Sequence, residues 1–404
     1  MPGDGFLDSE FLLSPPFRPY PRTDRQAEFI ELGDRLARIA AANSVAHDRD
    51  NTFPFDSFQA LRESGYLALT APEEYGGRNA TPLEVVLAQE RLARGDGAVA
   101  LGSTMHLMQV VQIGKGDVWP TDLRDRVLKD VVAHGTLINN LASEPELGSP
   151  SRGGMYATRA KRDGDHWVIN GRKTWSTLSP GLAYATVLLS LEEADCTLSR
   201  GTFFVPMDTP GVRIEETWDS LAMRASGSHD VIFEQVRVPE EYRLIQPPGL
   251  PAANPGGWGL LGSAVHLGIS TAARDFAIDF AKNRKPVALE GKTISSLVTV
   301  QHRVAQIEIL LLQSRAALYG TAELWDQYPD YHSTMGPQLA AAKYTVTNNA
   351  IQITDQALRV VGAAGLLKRT PLERYFRDVR AGLGNPPMDD VALTLIGKAA
   401  LGVK

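Results

Sequence analysis

The sequence predicts a multi-domain protein of α and β structure, with an N-terminal α-helical domain, a central β-barrel and a C-terminal four-helix bundle. The hydrophobic period changes from helical to strand-like near residue 137, and it returns to helical after residue 250. The chain also has 404 residues, more than a single hydrophobic core usually serves. We therefore expect domains at residues 1–137, 138–245 and 246–404.

The N-terminal region has a helical pattern. Thr23 and Gln26 form a capping box that predicts the start of the first helix. Apolar side chains then recur every three or four residues, at Phe29, Leu32, Leu36 and Ile39 and, after Pro54, at Phe55, Phe58, Leu61 and Leu67. A third helical run covers residues 82–94. These residues are expected to form the core between packed helices.

The hydrophobic pattern of the central region predicts several short strands. Asp163, Gly164 and Asp165 predict a hairpin turn between strands at residues 158–162 and 166–170. Further apolar runs at residues 185–191, 202–205, 212–214 and 231–238 are separated by Gly and Pro. This spacing is typical of a small barrel or sandwich.

The C-terminal region returns to long helices after a proline-rich linker at residues 247–255. Two apolar stripes at helical spacing are Leu261, Val265, Gly268, Ala272, Phe276 and Phe280, and then Val304, Ile307, Leu311 and Leu318. A third helix follows Gly336 and Pro337, and a fourth begins after residues 385–387. Four such helices predict a bundle. The order of elements contains no strand–glycine-turn–helix unit, which argues against a nicotinamide-binding Rossmann domain.

Composition narrows the classes of protein further. The 41 basic and 47 acidic residues give a net charge of −6, which argues against a nucleic-acid partner. The single cysteine, Cys196, predicts a reducing compartment and excludes a multi-cysteine metal site, so no metal is expected. No signal peptide or apolar stretch of membrane-spanning length is visible. We expect a cytoplasmic protein with no membrane partner.

Three polar segments are difficult to explain by packing alone. They are residues 141–149 (LASEPELGS), residues 171–177 (GRKTWST) and residues 221–228 (LAMRASGS). Each lies where a helix gives way to β structure or where a strand ends. Any one of them could be ordinary turn chemistry.

Taken together and in order, these segments resemble the acyl-CoA dehydrogenase superfamily of flavoproteins. PEEYGG at residues 72–77 resembles the signature before that family's third helix. SEPELGS at residues 143–149 resembles its flavin-binding loop, WVINGRKTW at residues 167–175 the strand leading to the flavin, and LERYFRD at residues 372–378 the segment before the catalytic loop. The resemblance covers nearly the whole chain. It implies an acyl-CoA dehydrogenase-like fold, bound FAD, a small-molecule substrate and a homotetramer.

The resemblance also implies a set of cofactor-binding residues. Ser143 would bond the flavin pyrimidine edge, Trp175 would pack against the ring and the Thr177 hydroxyl would bond N5. Arg284 and Gln301 would bind the phosphates and AMP half of FAD across a dimer interface, with an insertion near residues 288–294 between them. The full set is Ala142, Ser143, Gly148, Ser149, Trp175, Thr177, Arg284, Gln301 and Gly362.

The catalytic positions depart from the family pattern. Counting forward from Arg377 and Asp378 places the family's catalytic Glu at Pro386, which can be neither a base nor an N–H donor. The alternative base position falls at Trp258, and the arginine that contacts coenzyme A falls near Gly257. The remaining acid–base candidates are Asp389, Asp390, His106 and His266, and a lone histidine on a helix is more often a packing residue.

Three functional hypotheses follow. The first is an FAD-dependent oxidoreductase of the acyl-CoA dehydrogenase type that acts on the CH–CH group of an acyl-CoA or related substrate. The second is a flavin-dependent monooxygenase of the same fold that uses reduced flavin and oxygen. The third is a catalytically silent flavin-binding scaffold. The redox partner would be an electron-transfer flavoprotein in the first hypothesis and a flavin reductase in the second.

Overall fold

A computed structural model describes residues 20–116, 118–147, 154–192, 197–245 and 256–403. Helices come first, a β-sheet follows, and long helices complete the chain. This architecture confirms the predicted fold class. Within the described part of the chain, no helix is long and apolar enough to cross a lipid bilayer, and no group of three potential metal ligands comes together.

Among the described residues, five helices precede the sheet, whereas the sequence pattern predicts three. They are α1 (Asp24–Asp50), α2 (Phe55–Glu63), α3 (Pro82–Gly95), α4 (Gly97–Lys115) and α5 (Thr121–His134). The predicted start of α1 is confirmed, since the Gln26 N–H donates to Thr23 Oγ1 at 3.1 Å. The Gln26 side chain accepts the Arg22 N–H at 2.6 Å, so the reciprocal bond of the capping box is displaced by one residue.

Two of the predicted core residues lie at the surface. Ile39 and Phe55 are 45 % and 59 % exposed, whereas Phe29, Leu36, Phe58 and Leu61 are buried. The buried face of α1 includes Gly33, where an added Cβ would lie 2.6 Å from the Ala88 carbonyl oxygen of α3. Because α3 approaches the α1 backbone so closely at Gly33, the contact face runs through Ala40 rather than Ile39.

The described residues of the central region form one seven-stranded sheet. Its strands are β1 (Leu137–Leu141), β2 (Arg159–Asp163), β3 (His166–Lys173), β4 (Leu182–Glu192), β5 (Leu198–Pro206), β6 (Val212–Glu215) and β7 (Asp230–Pro239). The strand order is β1-β4-β2-β3-β7-β6, and β5 pairs with β4 outside this order. β4 runs parallel to β1 and β2, and all other pairs are antiparallel. The predicted hairpin joins β2 to β3, with Gly164 at φ 64°.

The C-terminal region consists of α6 (Leu260–Asn283), α7 (Val298–Gln327), α8 (Gly336–Val361), α9 (Leu372–Asp378) and α10 (Asp389–Leu401). Four of these helices are long, as the sequence predicts, and α9 is an additional short one. The predicted stripes are largely buried, with Leu261, Val265, Ile307 and Leu318 at 0 % exposure. Two short 3-10 turns, Val287–Leu289 and Ile294–Ser296, lie at the predicted insertion between α6 and α7.

Packing divides the chain into two compact units. The first comprises the described residues within 1–41, 82–97 and 260–404, so α1 before residue 42 and all of α3 pack with the C-terminal helices. The second comprises the described residues within 42–81 and 98–259, which include the sheet. Within the first unit, Gly268 of α6 meets α3 so closely that a Cβ there would lie 2.2 Å from the Glu90 carbonyl oxygen. The division into three domains at residues 137 and 245 stays a prediction.

Candidate functional site

Two of the three polar segments meet where strands β1 and β3 end. β1 ends at Leu141 and β3 at Lys173. The Thr174 N–H donates to the Ser143 carbonyl oxygen at 3.0 Å, which joins the segment after β1 to the segment after β3. Ala142 and Ser143 are both half-buried at this junction.

The third segment is joined to the second by backbone hydrogen bonds. The Ser176 N–H donates to the His229 carbonyl oxygen at 3.1 Å, and the Leu178 N–H donates to the Ser226 carbonyl oxygen at 3.0 Å. Ser179 donates to the Gly227 carbonyl oxygen through both its N–H and its hydroxyl. All three segments therefore form one connected surface within the sheet-containing unit.

Trp175 is held at this surface with its ring exposed. Its backbone has φ 56°, in the left-handed region that a bulky residue rarely adopts, and the residue is 64 % exposed. Its ring meets Trp218 edge to face at a centroid distance of 5.0 Å. Trp218 is fixed in turn, because its N–H donates to His229 Nδ1 and its indole N–H to the Met223 carbonyl oxygen, each at 3.1 Å. The result is a rigid apolar wall that faces solvent.

A row of hydroxyl groups lies beside Trp175. Thr177 Oγ1 is 2.9 Å from Ser228 Oγ, which is 2.7 Å from Ser226 Oγ. The Asn139 side-chain amide donates to the Thr177 carbonyl oxygen at 2.9 Å. Each hydroxyl has one hydrogen to donate and two lone pairs, so the Thr177 hydroxyl can bond Ser228 and one further partner. The adjacent Ser176 Oγ is buried without a hydrogen-bond partner.

A fully buried ion pair supports the two strand ends. Lys173 Nζ donates to Glu144 Oε1 at 2.6 Å, and both side chains have 0 % exposure. Burial lowers the pKa of Lys173 to about 8, against the opposing effect of the Glu144 carboxylate. Burial by itself raises the pKa of Glu144, but hydrogen bonds from Lys173 and from the backbone N–H groups of residues 157 and 158 hold that pKa below its usual range. The Tyr156 ring lies 4.4 Å from Lys173 Nζ.

His106 occupies a closed position in the same unit. Its Nε2–H donates to the Leu67 carbonyl oxygen at 2.9 Å, and its Nδ1 accepts the Ile138 N–H at 3.2 Å. The side chain is fully buried, and burial lowers its pKa to about 4. Both ring nitrogens are thus engaged by backbone groups, which is the arrangement of a structural histidine.

The helical unit contains the loop where the resemblance places the family base. Pro386 is exposed, between the 3-10 turn Val379–Leu383 and the start of α10. Asp389 Oδ2 accepts a hydrogen bond from the Asn348 amide at 3.1 Å, and its Oδ1 lies 3.6 Å from Lys343 Nζ. Asp390 is exposed in the first turn of α10.

The remaining implied FAD contacts lie in the helical unit or outside the described residues. Arg284, Gln301 and Gly362 are all exposed on the helical unit. Gly362 has φ 71°, and nothing lies within 4 Å of the position that a Cβ would occupy. Gly148 and Ser149 lie outside the described residues.

The cluster at the strand ends has the chemistry that a flavin needs. A flavin requires a flat apolar wall and hydrogen-bond donors at its polar edge. Trp175 supplies the exposed wall, and the Thr177 hydroxyl has bonding capacity left beyond Ser228. The Ser176 hydroxyl, which has no hydrogen-bond partner, adds a further donor. The residues present therefore fit such a group.

Several residues of this cluster were not predicted. Asn139, Tyr156, Trp218 and His229 were not predicted as site residues, and Ser226 and Ser228 were noted only as part of a polar segment. Trp218 could have been suspected, because an aromatic residue precedes the third segment by three positions. Asn139 lies within a strand and has no local signal.

The chain has helices, a seven-stranded sheet and a helical bundle in this order, and an exposed tryptophan and hydroxyl groups lie at the strand ends. These features define the acyl-CoA dehydrogenase class of fold. Three family profiles match the chain: the acyl-CoA dehydrogenase N-terminal domain at residues 23–116, the middle domain at 140–236 and the C-terminal domain at 260–385. The chain belongs to the acyl-CoA dehydrogenase family, as its motifs predict.

Individual relatives agree with this assignment. A putative acyl-CoA dehydrogenase, YdbM of Bacillus subtilis (strain 168), is 40 % identical over 372 residues, which is 92 % of this chain and 96 % of the relative. The mitochondrial short-chain specific acyl-CoA dehydrogenase of Rattus norvegicus is 30 % identical, with 82 % of this chain and 79 % of the relative covered.

Solved structures give the same fold. KijD3, in complex with FMN and an amino-keto sugar nucleotide, aligns with a TM-score of 0.83 at 26 % identity, covering 96 % of both chains. Butyryl-CoA dehydrogenase from Megasphaera elsdenii aligns with a TM-score of 0.82 at 21 % identity, covering 95 % of this chain and 99 % of the other. The chain therefore shares its fold with both KijD3 and a butyryl-CoA dehydrogenase.

Proposed function

We propose that the protein is an FAD-dependent oxidoreductase of the acyl-CoA dehydrogenase type, acting on the CH–CH group of an acyl-CoA or related substrate. One observation carries the proposal. The exposed Trp175 ring and the Thr177 hydroxyl stand side by side on a rigid surface built from three connected segments. Membership of the family supports the same reaction class.

When bound, FAD would accept a hydride equivalent from the substrate. Trp175 would pack against the flavin ring, Thr177 would bond its N5 edge and Ser143 its pyrimidine edge. Ser228 and Asn139 keep Thr177 in place through the contacts at 2.9 Å. Arg284, Gln301 and Gly362 would hold the dinucleotide of a second subunit.

Removal of hydrogen from a CH–CH group also needs a base for the α proton. Pro386 cannot supply one. Asp389 and Asp390 are the nearest carboxylates along the chain, and Asp389 already bonds Asn348. We assign the proton-accepting role in this reaction to one of these two residues.

A second candidate function is a flavin-dependent monooxygenase that uses reduced flavin and oxygen. The observation that favours it is Pro386, because oxygen transfer requires no carboxylate at that position. The structural likeness to KijD3, which is described with FMN, supports this alternative. In that case a flavin reductase would be the redox partner, in place of an electron-transfer flavoprotein.

The assembly that we propose is a cytoplasmic homotetramer. Apolar side chains on two helices of the bundle are exposed in the single chain, at Ile309 and Leu312 of α7 and Leu393 and Leu395 of α10. Burial of these side chains against further copies removes apolar surface from water. Sedimentation equilibrium tests this: four chains are expected, and Leu312→Glu should reduce that number.

The test of the reaction uses the purified, flavin-loaded protein. Anaerobic bleaching of the yellow colour by a short-chain acyl-CoA, with the enoyl product formed, supports dehydrogenation. Absence of bleaching, together with substrate-dependent oxygen uptake when reduced flavin is supplied, supports the monooxygenase. Flavin binding without either reaction supports the silent scaffold. A protein that binds neither FAD nor FMN contradicts all three.

The variant Pro386→Glu separates the two enzymes further. If the site is of the dehydrogenase type and neither Asp389 nor Asp390 already supplies the base, a carboxylate at residue 386 should increase the rate of bleaching by at least about a hundredfold, the lower end of general-base effects. Pro386→Gln is the matched control, since it has the same size and no base. An equal rate for both variants contradicts a base position at residue 386.

A further inference from the structure

The Trp175 ring needs a neighbour to fix its orientation. The residue is largely exposed, and the ring contact that the structure describes for it is the one with Trp218. We propose that Trp218 is a positioning residue that orients the Trp175 ring for the flavin before the flavin binds. Trp218 is itself fixed by His229 and by Asn51, which follows the end of α1. The inference rests on the proposed flavin function and adds residues that act on the flavin through Trp175.

All three polar groups of Trp218 are hydrogen-bonded. Its backbone N–H donates to His229 Nδ1 and its indole N–H to the Met223 carbonyl oxygen, each at 3.1 Å. Its carbonyl oxygen accepts a hydrogen bond from the Asn51 side-chain amide. Residues 216–220 belong to neither a helix nor a strand, so regular secondary structure does not hold them. The position of Trp218 therefore depends on these three bonds.

Asn51 reaches Trp218 from a distant part of the chain, 167 positions earlier. Its backbone has φ 55°, which asparagine adopts more readily than most residues do. Arg224 ties the same two parts of the chain together, because its Nε donates to the Asp48 carbonyl oxygen at 2.8 Å and its Nη1 to the Ser220 carbonyl oxygen at 3.2 Å. The end of α1 thus holds the segment that carries Trp218.

His229 completes a closed circuit of contacts around Trp175. Its Nδ1 accepts the Trp218 N–H, and its carbonyl oxygen accepts the N–H of Ser176, the neighbour of Trp175 in the chain. The imidazole must be neutral to accept at Nδ1. Burial lowers the pKa of His229, against the opposing effect of two nearby carboxylates, and so favours the neutral form. The circuit that orients the Trp175 ring is therefore made entirely of this chain's own groups.

Orientation before binding affects the affinity for a ligand. A mobile side chain loses rotational freedom when a ligand packs against it, and this loss weakens binding by about fivefold for one large side chain. A Trp175 ring already held by Trp218 has little freedom left to lose. Loss of a bond that fixes Trp218 should therefore weaken flavin binding, although the substituted residue lies outside the proposed flavin contacts.

Far-ultraviolet circular dichroism of the full-length protein tests the orientation of the two rings. Two indoles in contact at a fixed angle couple their electronic transitions and give a pair of bands of opposite sign. We expect this pair of bands in the wild type and its loss in Trp218→Phe. Trp325→Phe is the matched control, since the Trp325 ring stacks on His332 in the helical unit, and it should retain the bands. Bands of equal size in the wild type and Trp218→Phe would overturn the proposal.

The variant Asn51→Gly removes the side-chain amide and keeps a residue that tolerates φ 55°. We expect weaker coupled bands, flavin affinity lowered about fivefold and stronger emission from the bound flavin, because a mobile Trp175 ring quenches it less. Asn79→Gly is the matched control, since Asn79 is exposed and also has a positive φ of 42°, and it should leave all three values unchanged. A purely structural role for Asn51 would lower thermal stability and leave the flavin emission at its wild-type value.

Two variants of His229 test the second bond. Asparagine keeps an acceptor on Cγ, where histidine has Nδ1, whereas leucine has none. His229→Leu should reproduce the effects of Asn51→Gly, and His229→Asn should restore the wild-type values. Wild-type flavin affinity and emission in both Asn51→Gly and His229→Leu would overturn the positioning role and leave the proposed function intact. A wild-type protein that binds no flavin would overturn both.

Discussion

Lys173 of β3 donates to Glu144 across 2.6 Å, and neither side chain reaches solvent. Glu144 also accepts the backbone N–H groups of Ala157 and Thr158 at 2.6 and 3.0 Å. The pair therefore joins the segment after β1, the residues just before β2 and the end of β3. Trp175 and Thr177 follow Lys173 by two and four residues, so their position depends on this contact.

Removal of Lys173 should be strongly destabilising. Lys173→Met leaves the Glu144 carboxylate buried without its counter-charge, and broken buried pairs cost about 3–5 kcal/mol. Urea denaturation should show a loss of this size in the free energy of unfolding. Lys161→Met on β2 is the control, because Lys161 is 73 % exposed and pairs with Glu192 at 3.5 Å. It should change stability by less than about 1 kcal/mol. Similar stability of the two variants would contradict a structural role for the buried pair.

The close approach of α6 to α3 predicts opposite effects at two glycines of one helix. At Gly268 a Cβ would lie 2.2 Å from the Glu90 carbonyl oxygen, whereas at Gly262 nothing lies within 4 Å. Gly268→Ala should destabilise by about 1–3 kcal/mol through overpacking. Gly262→Ala should stabilise by up to about 1 kcal/mol, because alanine is the better helix former. Thermal unfolding of both variants measures the difference, and two effects of the same sign would exclude this packing.

Close contacts between helix backbones explain which parts of the fold could be predicted from the sequence and which could not. The change in hydrophobic period located the sheet correctly, since β1 begins at Leu137. The periodicity placed Ile39 and Phe55 in the core, but both are exposed. Periodicity counts only apolar side chains, and the contact of α1 with α3 is made partly at Gly33, which has none.

The candidate site was predictable only where a motif is continuous in sequence. Residues 141–149 and 171–177 were selected from their composition, and their described parts do meet. Asn139 joins the site through the fold alone, because its partner Thr177 is 38 residues away in the chain. The two ring nitrogens of His266 are buried without hydrogen-bond partners, which is a property of packing and has no signature in the sequence.

Two buried histidines predict sensitivity to acid. Burial lowers the pKa of both His106 and His266 to about 4, from the ordinary value of 6.5. Above pH 6.5 these histidines are neutral in both the folded and the unfolded chain, so they do not make the free energy of unfolding depend on pH. Between pH 6.5 and 4 the unfolded chain binds protons that the folded chain does not, and stability falls by about 3 kcal/mol per histidine.

The variant His106→Gln isolates one of these contributions. The free energy of unfolding of the variant should fall less steeply than that of the wild type between pH 6.5 and 4, whatever its stability at pH 7. His134→Gln is the control, because His134 is exposed at the end of α5 and should leave the wild-type slope unchanged. Equal slopes for all three proteins would exclude a neutral buried His106.

The Thr177 hydroxyl provides the most direct test of the proposed flavin contact. Thr177→Val retains the shape of the side chain and the backbone bond from Asn139, but it loses the hydroxyl that contacts Ser228. Fluorescence titration should show flavin affinity reduced about fivefold, as expected for one lost hydrogen bond. The reduction potential of the bound flavin should change as well, because the lost contact is at its redox-active edge. Thr177→Ser restores the hydroxyl and should recover both values. If valine and serine at this position give the same affinity and the same potential, Thr177 does not contact the flavin.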